Sequence, residues 1–132
     1  MGFALAERLL RAGHDVSVFN RTRSKAEPLA DLGATVVDSP ADLADRDIVF
    51  VMVAGPADLI EVVNGPRGLL SRTDAAPRIV VDSSTVSAAA SAEVQAAVEA
   101  RGSALLAAPV SGNPHVVRSG KLTSVVSGPR RA

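Results

Sequence analysis

Residues 48–53, Ile-Val-Phe-Val-Met-Val, are six consecutive apolar residues between Asp47 and the turn signal Ala54-Gly55-Pro56. A run this short, rich in β-branched residues and bounded by turn residues, reads as a strand. Its lack of alternation predicts burial on both faces, the habit of a strand inside a parallel sheet. Parallel neighbours need a crossover between them, usually a helix. The remainder of the chain must therefore interleave helices with strands.

It does so. Residues 3–12 place Phe3, Ala6, Leu9 and Leu10 at helical spacing, and Gly13 stands where a helix stop belongs. A strand follows at 16–19, leading into Asn20-Arg21-Thr22. A second helix, capped by Thr22 or by Ser24 with Glu27 in capping-box spacing, is expected up to Gly33, with Pro28 disturbing its start. Next come a short strand at 35–37 and a brief helix from the Ser39-Pro40 start to about Ala44. Beyond the run at 48–53, a helix is expected at 56–63 and a polar loop at 71–77. Then come a buried strand at 79–81, a long alanine-rich helix at 87–101 stopped by Gly102, and a strand at 104–108. A short turn through Gly120 and a last strand at 122–126 complete the chain. This alternation predicts an α/β fold with a doubly wound parallel sheet.

Length and charge narrow the function. The 132 residues suffice for one domain. Formal net charge is zero, so no general attraction to nucleic acid or to an anionic membrane is implied. There is no cysteine, which removes thiolate metal sites and cysteine nucleophiles and fits a reducing, cytoplasmic setting. No apolar run approaches the ~18 residues of a membrane span, and no basic-then-apolar leader opens the chain. His14 reads as an exposed turn residue, since no second His, Cys or carboxylate cluster sits near it in sequence.

In open parallel sheets, ligands bind beyond the carboxyl ends of the strands. Here those ends carry Asn20-Arg21-Thr22, Val53-Ala54, Ser84-Thr85 and Ser111-Gly112-Asn113. The first is the most informative. In a dinucleotide-binding sheet an acidic residue there takes the ribose 2′-hydroxyl of NAD, whereas an arginine accommodates the 2′-phosphate of NADP. A neutral Asn20 followed by Arg21 points to NADP, because the guanidinium fork matches phosphate. The competing reading makes Arg21 an ordinary surface arginine.

Five motifs in order, Met1-Gly2, Ala12-Gly13-His14, Asn20-Arg21-Thr22, Asp82-Ser83-Ser84-Thr85 and Ala108-Pro109-Val110-Ser111-Gly112, carry a resemblance. The chain resembles the NADP-binding domain of the 3-hydroxyisobutyrate and 6-phosphogluconate dehydrogenase family of β-hydroxyacid dehydrogenases, over essentially its whole length. That family opens with a strand and a Gly-x-Gly-x-Met-Gly loop, of which Met1-Gly2 matches only the last two residues. Residues 1–132 are therefore expected to be a partial NADP-binding domain. The first strand, the phosphate loop and the family's C-terminal helical domain would lie outside it.

The resemblance implies roles residue by residue. Gly2, Asn20, Arg21, Thr22, Val53, Ala54 and Thr85 fall on cofactor-binding positions. Val53 and Ala54 replace a Leu-Pro pair, so backbone contacts alone are expected from them. Thr85 falls near the nicotinamide ribose, with a helix N-cap as its alternative role. Ser111 and Gly112 fall on a substrate-binding Ser-Gly-Gly loop, Asn113 replacing the second glycine; a tight turn is the alternative there. The catalytic lysine of the family has no counterpart, since Lys121 stands in a different motif.

What is implied is part of an NADP-dependent oxidoreductase, homo-oligomeric when complete. It would transfer hydride to or from a small β-hydroxyacid, or reduce an aldehyde acid or an imine. The alternative class is a non-catalytic cofactor-binding domain or a non-functional fragment.

Overall fold

The computed structural model describes residues 2–84, 86–111, 113–121 and 123–129. The chain forms two compact units: Met1–Ser39 with Ser111–Thr123, and Pro40–Val110 with Ser124–Ala132.

In the first unit, helix α1 (Gly2–Arg11) leads to strand β1 (Ser17–Val18). Gly13 ends α1 at φ 90°, with the N–H of Gly13 donating to the Leu10 carbonyl at 3.0 Å and that of His14 to the Leu9 carbonyl at 3.1 Å. That pair of bonds is the Schellman stop, and its left-handed residue favours glycine. Strand β1 pairs in parallel with β2 (Thr35–Val36), Ser17 opposite Thr35 and Val18 opposite Val36. Helix α4 (Pro114–Arg118) packs on α1.

Three expectations are corrected in this unit. The second helix is not an α-helix: two 3₁₀ segments, Arg23–Lys25 and Glu27–Leu32, take its place. Pro28 has no N–H to donate and its ring crowds the preceding turn, so an α-helical ladder cannot run through it. The Ser24–Glu27 capping box does not form; Thr22 is the cap residue, without a side-chain bond. Residues 114–118 are helical rather than a plain turn.

The second unit holds a parallel sheet in the order β3 (Ile48–Val51), β4 (Ile79–Asp82), β5 (Ala104–Ala107), with Ile48 opposite Ile79 and Ile79 opposite Ala104. Helices α2 (Pro56–Asn64) and α3 (Ala88–Ala100) pack on each other. Leu59 and Val63 of α2 and Val94 and Val98 of α3 form one core with Val49, Val51, Val80 and Leu105 of the sheet. Each such side chain, fully buried, contributes about 1.5–3 kcal/mol. The opposite face carries Ile79 and Val81 with Ala108 and Leu106. The ligature between α3 and the loop before β4 is polar. Arg101 donates to the carbonyls of Leu70 and Ala75 at 2.6 and 3.2 Å, and Ser103 Oγ donates to the Pro77 carbonyl at 2.5 Å.

Strand β4 is buried throughout, as its sequence implied, but β3 is not. Its residues alternate, with Val49 and Val51 buried, Ile48 44% exposed and Phe50 52% exposed. The cause is position: β3 is the edge strand of this sheet, and the α2–α3 core covers the face that Val49 and Val51 share. The brief helix at Ser39 is a 3₁₀ turn, Pro40–Leu43. The strands are parallel as expected, but they fall in separate sheets, β1–β2 and β3–β4–β5. The chain enters the first unit within β6 (Val110–Ser111) and leaves it within β7 (Thr123–Ser124). The last strand expected at 122–126 is thus reduced to two residues, and Leu122 lies outside the described residues.

Candidate functional site

In the first unit, the chain leaves β1 through Asn20-Arg21-Thr22, all exposed. Asn20 turns the backbone: its Oδ1 accepts the N–H of Thr22 at 2.9 Å. This Asx turn fixes the exit geometry with the residue's own side chain. Thr22 is extended (φ −99°, ψ 97°), and its carbonyl accepts the N–H of Lys25 at 2.9 Å, starting the first 3₁₀ segment.

A second guanidinium stands two residues on. Arg23 pairs with Asp38, just past β2, and with Glu27 at 3.6 Å. Sequence reading passed over Arg23; its i,i+4 spacing to Glu27 was the available signal. Gly2, the first residue of α1, is exposed, and the first turn of α1 carries no acidic side chain. Met1 and the phosphate-loop match it belongs to lie outside the described residues.

In the second unit, the ends of β3 and β4 are tied by Ser84, a residue named at the strand end but given no role of its own from the sequence. Its Oγ accepts the N–H of Val53 at 2.9 Å and lies 3.5 Å from the carbonyl of Val51. Its own N–H donates to Asp82 Oδ1 at 2.9 Å. The N–H of Ser83 donates to the Val51 carbonyl at 2.8 Å, the last bond of the ladder. Asp82, Ser83 and Ser84 are all buried. The N–H of Val53 is therefore committed within the protein. Ala54, beside it, is exposed.

Thr85 lies outside the described residues. The cap of α3 is Ser87, whose Oγ accepts the N–H of Ala90 at 3.3 Å.

For the third motif, Ser111 closes β6 and Gly112 lies outside the described residues. Asn113 has a defined part: it is the N-cap of α4, its Oδ1 accepting the N–H of Val116 at 3.0 Å. The side chain that replaces the expected glycine is thereby occupied in folding, and turn chemistry has become cap chemistry. His14 and His115 are exposed. Among the described residues, no group of three or more His, Cys, Asp or Glu side chains is placed to hold a metal ion. No described helix is long and apolar enough to cross a membrane.

The first unit thus brings together Asn20, Arg21, Thr22 and Arg23, and separately carries Asn113. The second brings together Val53, Ala54, Asp82 and Ser84.

Known proteins resemble this chain over nearly its whole length. The family model described as the NAD binding domain of 6-phosphogluconate dehydrogenase matches residues 1–132. The chain is 37% identical over 129 residues to the chloroplastic glyoxylate/succinic semialdehyde reductase 2 of Arabidopsis thaliana, covering 97% of this chain and 36% of that protein. It is 33% identical over 129 residues to the mitochondrial 3-hydroxyisobutyrate dehydrogenase of Homo sapiens, covering 97% of this chain and 38% of the other. Among solved structures, Psf3 in complex with NADP+ and 2-OPP superposes with a TM-score of 0.87 at 32% identity, covering 99% of this chain and 46% of that one. The fold is accordingly the doubly wound, Rossmann-like α/β fold, and the chain spans less than half the length of each of these three proteins.

Proposed function

The chain belongs to the NAD binding domain family of 6-phosphogluconate dehydrogenase, and from that premise we propose that it is the cofactor-holding part of an NADP-dependent oxidoreductase. The complete enzyme transfers hydride between the nicotinamide and a small β-hydroxyacid, or reduces the corresponding aldehyde acid or an imine. The named relatives support this reading: one is a glyoxylate/succinic semialdehyde reductase, another a 3-hydroxyisobutyrate dehydrogenase. In this reading the chain is a partial domain of a longer, homo-oligomeric, cytoplasmic protein whose catalytic lysine lies elsewhere.

The observation that carries the choice of NADP is the exit from β1. Asn20 is neutral and uses its side chain in the Asx turn, so no carboxylate stands where one would select NAD. Asp38, the nearby acid, is held by Arg23. Arg21, exposed at the turn, takes the 2′-phosphate with paired donors. In this reading Gly2 serves the pyrophosphate, Val53 and Ala54 contact the cofactor through their backbone, and Thr85 serves the nicotinamide ribose. Ser111 and Gly112 grip the carboxylate of the acid. Asn113 assists through its backbone, because its amide caps α4. When bound, the nicotinamide supplies hydride chemistry; the protein supplies position and charge.

A second reading, a cofactor-binding module without catalysis, has one observation in its favour. Among the described residues at these strand ends, the acidic side chains are Asp38, which is paired with Arg23, and Asp82, which is buried and bonded to the Ser84 N–H. Neither is a ready general acid.

The test is fluorescence titration of the full-length protein with NADPH and NADH. Arg21→Ala weakens NADPH binding by about 1.5–3 kcal/mol, the worth of a charged hydrogen bond, and leaves NADH nearly unchanged. Equal losses for both dinucleotides would remove Arg21 from the 2′-phosphate. NADPH binding with no turnover of any small hydroxy or aldehyde acid would favour the second reading.

A further inference from the structure

Helices α1 and α4 flank a hollow of about 390 Å³, open to solvent, lined by Glu7, Arg8, Arg11, Ala12 and Arg118. That is the size range of small-molecule sites. Three guanidinium groups meet one carboxylate there. Glu7, only 18% exposed at its side chain, lies 3.4 Å from Arg118 Nε and 3.6 Å from Arg11 Nη2. Arg8 takes no part in that pairing. Its Nη1 donates to the backbone carbonyl of Arg118 at 3.1 Å. Its guanidinium also lies over Gly120, where a Cβ would come within 3.3 Å of Nη2.

All three guanidinium groups stay open to solvent, Arg11 66% and Arg118 53% exposed at the side chain and Arg8 exposed as a residue. A network serving only to join two helices needs balanced charge. This one carries an excess of two positive charges. The carboxyl end of α1 offsets only about half a charge of that excess. Clustered guanidinium groups are stabilised when an anion sits among them, and their planar forks suit phosphate oxygens better than they suit chloride.

We propose that this hollow binds a small, multiply charged anion of the phosphate class. The site is distinct from the strand-end residues assigned to the cofactor. Its ligand is a phosphorylated small molecule rather than an acidic peptide, since the charges face a concave hollow rather than an extended groove.

The test is an NMR titration of the protein with inorganic pyrophosphate at constant ionic strength, following the side-chain Nε–Hε signals of arginine. Saturable shifts are expected for Arg8, Arg11 and Arg118. Arg11→Gln weakens binding at these signals roughly two- to fivefold, the usual worth of an exposed charge pair. Glu7→Gln strengthens it by a similar factor, because it removes the competing carboxylate. Arg72→Gln, an equal change in net charge in the other unit, leaves the affinity of these signals unaltered, as does Arg21→Ala. Non-saturating shifts reproduced by sodium chloride would overturn the proposal. So would an equal weakening by Arg72→Gln, or a folded Glu7→Gln protein, judged by far-UV circular dichroism, that binds no more tightly.

Discussion

Ser84→Ala is the sharpest test of how the strand ends are held. The substitution removes one hydroxyl that is buried to 6% exposure and accepts the Val53 N–H at 2.9 Å. It leaves the backbone bond from Ser84 to Asp82 in place. The 3.5 Å approach of the hydroxyl to the Val51 carbonyl adds little, being at the limit of a useful hydrogen bond. That carbonyl keeps its bond from the Ser83 N–H. The cost is therefore that of one orphaned amide. A fully buried unsatisfied donor costs about 1–3 kcal/mol. Val53 is half-buried, so water reaches its amide in part, and the lower half of that range, about 1–2 kcal/mol, applies. With a urea slope of about 1–3 kcal/mol per molar, the unfolding midpoint falls by roughly 0.3–2 M. Hydrogen exchange adds a local reading: the Val53 amide, protected in the parent, exchanges faster in the variant. An unchanged midpoint with unchanged Val53 protection would refute the reasoning, because the amide would then have a partner other than Ser84.

The remaining expectations concern burial, charge and capping. Val51→Ala costs about 1.5–3 kcal/mol in urea unfolding, whereas Phe50→Ala, at a position 52% exposed, costs less than about 1 kcal/mol; equal losses would contradict one-sided burial of β3. Asp74 accepts a two-pronged bond from Arg72, at 3.0 and 2.8 Å, which with its own backbone N–H holds its carboxyl below the ordinary range. A folded-state value so lowered contributes stability at pH above the ordinary carboxylate value and loses it as pH falls through the lowered one. Carboxyl-detected NMR titration reads this, and Arg72→Gln returns Asp74 upward; a value indifferent to that change would remove Arg72 as the cause. Asn113→Ala costs about 0.5–2 kcal/mol through the lost cap of α4, and Asn113→Asp restores most of it; failure of Asp to restore would show that the cap is not what Asn113 supplies.

The sheet of the second unit was legible because its signals are strong and local. Ile79-Val80-Val81 is a short apolar run and is buried throughout, and the helix ending before Gly102 is long, alanine-rich and capped by a serine. Gly13 and Gly33 stop their segments with positive φ, as glycines at such places do. The 3₁₀ segments at 23–32 were not legible. Apolar spacing marks a helical stretch, but it does not say how the backbone accommodates Pro28. The run at 48–53 misled for a different reason. An apolar side chain records what a position tolerates, and coverage of the second face depends on which strands and helices pack there. Asn113 reads from the resemblance as part of the substrate loop, with a tight turn as the alternative; its N-cap role was not legible because turn and N-cap use the same side-chain oxygen on the same kind of backbone donor.

At the candidate site, the sequence marks the strand-end stretches but not the role of Ser84 in shaping one of them. Asp82-Ser83-Ser84-Thr85 marks a strand end, yet the residue types do not say which hydroxyl faces which neighbour. Register decides it. Val51 stands opposite Asp82, so two residues further on Val53 stands level with Ser84. Side chains two apart in a strand share a face, which places the Asp82 carboxylate and the Ser84 hydroxyl on one side of the chain. Each then answers a backbone N–H that the finished ladder would leave alone: Asp82 that of Ser84, and Ser84 that of Val53. The bond to Val53 thus continues the tie between β3 and β4 one step past the ladder, with a side chain in place of a carbonyl. The crevice beyond such strand ends is where ligands of this fold bind. Here the ends of β3 and β4 are held by two buried side chains, Asp82 and Ser84.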